Sequence, residues 1–167
     1  PLIAPSPLLL NLQSITSVSC FGGANGSASV VASGGTAPYT YNWPALASTA
    51  NQQSGLSAGT QLCVVTDAQN CIDSLALFIA EPTPLVAQVQ VLQAPTCVYS
   101  QNGMLQGQGQ GGTAPYTYLW PTYAQTAPTL IGVGTASQTL VVTDAQNCVD
   151  TIFYAPTSIS QTSVAAQ

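Results

Sequence analysis

Gly34-Gly35-Thr36-Ala37-Pro38-Tyr39-Thr40-Tyr41-Asn42-Trp43 is the stretch that decides the fold. A glycine pair and a proline mark a turn, and after it Tyr39, Tyr41 and Trp43 alternate along one side of an extended strand. Gly34 to Tyr41 returns letter for letter as Gly111 to Tyr118, 77 residues on, and Trp43 returns as Trp120. At the same offset Val64-Val65-Thr66-Asp67-Ala68-Gln69-Asn70-Cys71 returns as Val141 to Cys148, and Cys20 as Cys97. One offset shared by separate motifs means two tandem units, so the chain reads as an array. The expected division is residues 1–81 as a first repeat with an N-terminal strand, 82–156 as a second, and 157–167 as a C-terminal strand or linker.

The 167 residues contain no Lys, Arg or His and only five acids, which gives a formal charge of −5. Without cations the chain cannot displace counterions from phosphates, so a nucleic-acid partner is excluded, as is attraction to an anionic membrane surface. Proton transfer near neutrality would rest on Asp67, Asp73, Glu81, Asp144 and Asp150 alone, with no histidine to activate a nucleophile. A glycosidase would need two of these acids facing each other across a cleft. They recur about once per unit at turn-like positions, so no enzyme and no cofactor is expected. Calcium at Asp67 and Asp73 would need carbonyls for most of its ligands, and no metal site is expected there or at the cysteines.

Val, Thr, Tyr and Gln runs broken by Gly, Pro, Asn and Asp clusters predict an all-β chain of two tandem immunoglobulin-like β-sandwich repeats. The first unit's strands are expected near 8–13, 27–33, 39–43, 61–66 and 72–79, and the second unit's near 85–92, 104–110, 116–120, 138–143 and 149–154. Asn25-Gly26 and Asn102-Gly103 read as tight hairpin turns. Asp67-Ala68-Gln69-Asn70 and its copy should turn the chain between the last two strands, the Asp side chain accepting backbone amides. Each aromatic trio reads as a core stripe, with a carbohydrate platform as the other reading. The inward residues of the second strand, Ala28, Val30 and Ala32 in one unit and Leu105, Gly107 and Gly109 in the other, read as small and should leave room for an indole.

Units this small need reinforcement. Cys20 and Cys71 are 51 residues apart, as are Cys97 and Cys148, which predicts one disulfide in each unit beneath the aromatic trio. Closing such a loop contributes roughly 4 kcal/mol in the chain-entropy model. It would place the protein in an oxidising compartment, whereas buried free thiols would suit a cytosolic domain. Cys63 has Leu140 as its counterpart and reads as a small core residue, with an intermolecular disulfide as the alternative. The apolar start Pro1 to Leu10 is too short and too proline-broken for a membrane span, and it lacks the basic opening of a signal peptide.

Cys20-Phe21-Gly22-Gly23-Ala24-Asn25-Gly26-Ser27-Ala28, then Gly34 to Trp43, then Val65 to Cys71, together resemble the SprB repeat. This family occurs in long cell-surface adhesins of gliding and other Bacteroidetes. The second unit carries the same motifs, although Val98-Tyr99-Ser100 departs from the Phe-Gly-Gly opening. The resemblance implies an immunoglobulin-like extracellular repeat on a bacterial cell surface, adhesive or stalk-forming and without catalysis. In that setting Asp73-Ser74-Leu75 and Asp150-Thr151-Ile152 resemble the sequon on which these bacteria place O-glycans, which makes Ser74 and Thr151 candidate glycosylation sites.

Pro5 to Leu9 aligns with Pro82 to Val86, and Ala155 to Gln161 resembles Glu81 to Ala87, as if a third first strand were beginning. Either the chain is a window on a longer tandem array, or a spare terminal strand, within 1–13 or 158–167, completes a neighbour's sheet. The expected partners are therefore copies of the chain itself, joined head to tail, or adjacent repeats of one long chain. The reading that follows is a subunit or segment of an extracellular fibre. The alternative is an adhesin module that binds a surface polysaccharide or another polymer.

Overall fold

Ala28, Val30, Cys63, Val65 and Trp43 all lie at or below 1% exposure, and their strand neighbours are more exposed, Ser29 being covered through its hydrogen bond to Gln13; this alternation lays down the first unit. The computed structural model describes residues 6–97 and 99–155. The chain divides into two units, Pro1–Pro82 and Thr83–Gln167.

The first unit contains β1 (Leu9–Thr16), β2 (Gly26–Ser33), β3 (Thr40–Asn42), β4 (Gln52–Leu56), β5 (Gly59–Thr66) and β6 (Ile72–Ile79). They form two three-stranded antiparallel sheets, in the order β1-β2-β4 and β3-β5-β6. The second unit repeats the plan with β7 (Val86–Gln93), β8 (Gly103–Gln110), β9 (Thr117–Leu119), β10 (Thr129–Val133), β11 (Gln138–Thr143) and β12 (Val149–Tyr154). Its sheets are β7-β8-β10 and β9-β11-β12. Each pair of sheets encloses one core, with the first, second and fourth strands facing the third, fifth and sixth, which is an immunoglobulin-like sandwich. Among the described residues there is no α-helix; one 3-10 turn spans Pro121–Tyr123.

The aromatic trios are core stripes. Trp43 and Trp120 are buried, each indole N–H donating to a carbonyl, Ala50 at 2.8 Å and Ala127 at 3.1 Å, while Tyr39, Tyr41, Tyr116 and Tyr118 pack on the cores half-buried. In the second unit the small positions make room for tyrosine rather than indole. A Cβ on Gly109 would stand 2.9 Å from the Tyr116 ring, and one on Gly107 3.3 Å from the Tyr118 ring.

The strands β4 and β10 escape a reading by periodicity. Gln52-Gln53-Ser54-Gly55-Leu56 buries Leu56 alone, and in β10 a register break between Ile131 and Val133, with Gly132 at φ +74°, turns both Leu130 and Val133 inward. Asn25-Gly26 and Asn102-Gly103 are not hairpin turns. Gly26 and Gly103 open β2 and β8 after longer loops, and a Cβ on Gly26 would meet the Leu56 carbonyl at 2.9 Å and Ile79 Cγ2 at 2.8 Å. Close packing, and not a positive φ, requires glycine there.

Candidate functional site

The chemistry-bearing residues gather at the two ends of each sandwich. In the first unit the Leu10 amide donates to Asp73 Oδ2 at 2.7 Å, so β1 starts beside the start of β6. At the other end the Val18 amide donates to the Ala80 carbonyl at 3.0 Å, so both strands finish together. The chain thus enters this unit at one pole, the leading pole, and leaves at the opposite one, the trailing pole.

The leading pole is built on Asp67. Its Oδ1 accepts the amides of Gln69 and Cys71, both at 2.8 Å, and its Oδ2 accepts that of Thr36 at 2.9 Å, which ties the β2–β3 loop to the β5–β6 turn. Asn70 closes the turn at φ +62°. Gly35, at φ +57°, brings its backbone so near that a Cβ would stand 2.7 Å from Asp67 Oδ2. Burial alone would push the Asp67 carboxyl up, but the Thr36, Cys71 and Gln69 amides outweigh it and hold the group below its ordinary value. Asp144 repeats the arrangement with Thr113, Gln146 and Cys148 at 2.8, 2.8 and 2.9 Å, and its carboxyl is lowered against burial in the same way. The Ala87 amide donates to Asp150 Oδ2 at 2.7 Å, as Leu10 does to Asp73.

The trailing pole is held by an asparagine. Asn25 accepts the Ser19 amide at 2.9 Å and donates to Ser19 Oγ at 2.7 Å; Asn102 does the same with Thr96, at 3.2 Å each way. The Gly22 amide donates to Glu81 Oε2 at 2.9 Å. All five expected acids therefore accept backbone amides. Tyr99, where the first unit has Gly22, is 95% exposed; with Gln101 and Tyr123 it lines a groove of about 270 Å³.

The predicted pairings Cys20–Cys71 and Cys97–Cys148 are not formed: Cys71 and Cys97 are exposed free thiols. Cys71 sits at the leading pole two residues before Asp73, and Cys20 at the trailing pole two residues after Val18. Eight residues of β6 separate the poles, roughly 25 Å at 3.3 Å per residue, against an upper limit near 7 Å between bridged Cα atoms. In the second unit Cys148 lies beside Asp150 at the leading pole, while Cys97 follows the far end of β7. No disulfide therefore lies under either aromatic trio. Equal spacing reports the repeat period, which the sequence reading took for proximity. Cys20 and Cys148 are each disulfide-bonded.

Cys63 is a fully buried thiol in the first core, pushed up in pKa by that burial. Ser74 and Thr151 are exposed on β6 and β12, each an edge strand of its sheet. Leu9 to Gln13, part of the first candidate donor segment, lie in β1, where Leu9 to Leu12 pair with β2 of their own unit and Gln13 falls at a register break; residues 158–167 lie outside the described residues.

Residues 12–47 match the family model of the SprB repeat, which bears out the resemblance drawn from the motifs. A comparison with curated proteins finds no match. Among solved structures, the C-terminal 282-residue fragment of intimin, crystallised with the intimin-binding domain of the translocated intimin receptor, is similar at 14% identity and a TM-score of 0.45. The match covers 92% of this chain and 64% of the length of that fragment.

Proposed function

We propose that this chain is an extracellular structural protein, a subunit or segment of a bacterial surface fibre whose units follow one another pole to pole. The observation that carries the reading is the path of the chain: β1 enters beside Asp73 and β6 leaves beside Val18 at the other pole. A sandwich threaded in this way leaves its exit pole free to be followed by the entry pole of another unit, and a head-to-tail contact that does not close propagates into a filament. The SprB-repeat match and the disulfide-bonded state of Cys20 and Cys148 support a surface location outside the cytoplasm.

The repeats are taken as 1–81 and 82–156, with 157–167 a C-terminal strand or linker. Ser74 and Thr151 present their hydroxyls on exposed strand faces, where glycans would add solubility to a chain so poor in charge. Light scattering of the 167-residue chain over a hundredfold range of concentration tests the reading. Mass rising with concentration beyond a dimer is expected. A monomer throughout would overturn the self-assembling subunit and leave a segment of a longer chain or an adhesive module.

A further inference from the structure

We propose that Cys97 and Cys71 are the joining thiols of this assembly: Cys97 of one chain forms a disulfide with Cys71 of a second copy. The trailing pole of one chain's second unit is thereby locked to the leading pole of the next chain's first unit. The inference rests on the fibre reading and specifies its contact.

Both thiols are free and exposed, Cys71 at the leading pole of the first unit and Cys97 at the trailing pole of the second. Neither can reach the cysteine at the opposite pole of its own unit, which lies a strand length away. Their counterparts at the 77-residue offset are Cys148 for Cys71 and Cys20 for Cys97, and each of these is disulfide-bonded. Both kinds of pole therefore accommodate a bonded cysteine. The covalent chain already follows a trailing pole with a leading one, through Glu81-Pro82-Thr83-Pro84, and Cys97 to Cys71 repeats that order between copies. Tyr99, two residues from Cys97, supplies apolar surface for a neighbour to cover.

The local chemistry favours Cys97 as the attacking group. Hydrogen bonding around Tyr99 and Ser100 holds its thiol below the ordinary cysteine value, which raises the thiolate fraction near neutrality. The Cys97 thiolate attacks one sulfur of an oxidant disulfide, such as oxidised glutathione or a disulfide oxidoreductase, and expels the other as a thiolate. The Cys71 thiolate of the second copy then attacks Cys97 Sγ in this mixed disulfide and releases the remaining oxidant sulfur. Two protein thiols lose two electrons and two protons, and the oxidant disulfide becomes two thiols.

The test is a denaturing gel without reductant, run on the intact chain after incubation with oxidised glutathione, beside Cys71→Ser and Cys97→Ser. The wild type should give a ladder in steps of 17.0 kDa that dithiothreitol collapses to one band. Each variant alone should lose the ladder and run as a monomer. A one-to-one mixture of the two variants should give dimers and nothing larger, since one variant retains Cys97 and the other Cys71. Dimers from either variant alone would mean like-with-like pairing and overturn the proposal. A wild-type monomer on the gel that still grows in mass by light scattering would overturn the disulfide and leave the fibre standing. A monomer in both measurements would remove both the disulfide and the self-assembling subunit.

Discussion

In the first unit Val30 on β2 and Cys63 on β5 fill the core together; at the same two positions the second unit has Gly107 and Leu140. A Cβ on Gly107 would stand 2.7 Å from Leu140 Cδ2 and 3.1 Å from its Cδ1, so the leucine occupies space that the first unit gives to Val30. Core volume has moved across the sandwich while both cores remain closed: Val30, Cys63 and Leu140 all have 0% exposure. The leading poles behave differently. Asp67 and Asp144 keep the same three amide partners at distances of 2.8 to 2.9 Å, and Gly35 and Gly112 keep the same φ of +57°. Packing tolerates an exchange that preserves volume, but a carboxylate shared among three amides has one acceptable place.

The largest effects should fall where the units do not differ. Trp43→Ala and Trp120→Ala each remove a buried indole and its hydrogen bond to a carbonyl, and each should cost about 3–5 kcal/mol in urea unfolding. Equal losses would show that the tryptophan serves both cores alike; a near-neutral result in one unit would break the comparison.

A smaller effect tests the exchange itself. Leu140→Cys alone opens a cavity and Gly107→Val alone overpacks, each costing about 1–3 kcal/mol. Together they recreate the first unit's pair, so the double variant should be less destabilised than the sum of the singles by more than about 1 kcal/mol. Additive losses would mean that the two positions do not share one volume.

The smallest effect concerns acid. A carboxyl whose folded pKa is depressed stabilises the fold in full above its unfolded value, near 3.9 for aspartate, and that contribution is lost as pH falls through the folded value. Thermal melting should therefore hold level from neutrality to about pH 5 and fall below pH 4. Asp67→Asn should flatten the first unit's share of that fall and leave the second's, because the amide does not titrate, and it should lower stability at neutral pH because its nitrogen cannot accept the Thr36 N–H. An unchanged acid limb would show that Asp67 does not couple the loop to the turn.

Much of this architecture is legible in the letters because two signals agree. Alternation in Tyr39-Thr40-Tyr41-Asn42-Trp43 gives the buried face, and the 77-residue offset gives the second unit without further argument. The Asp67 turn is legible because its donors lie two and four residues away, whereas the Leu10 to Asp73 bond, 63 residues apart, leaves no local pattern. The strand β4 is missed because a polar edge strand with one buried residue has no period to detect. The cysteine pairing is misread because a period fixes how far apart two cysteines are in sequence and says nothing about the ends of a sandwich on which they lie.

Electron microscopy of the oxidised, intact chain tests the central claim most directly. A repeat threaded from pole to pole predicts unbranched filaments one sandwich wide that lengthen with concentration. Discrete particles of fixed size at every concentration would contradict it.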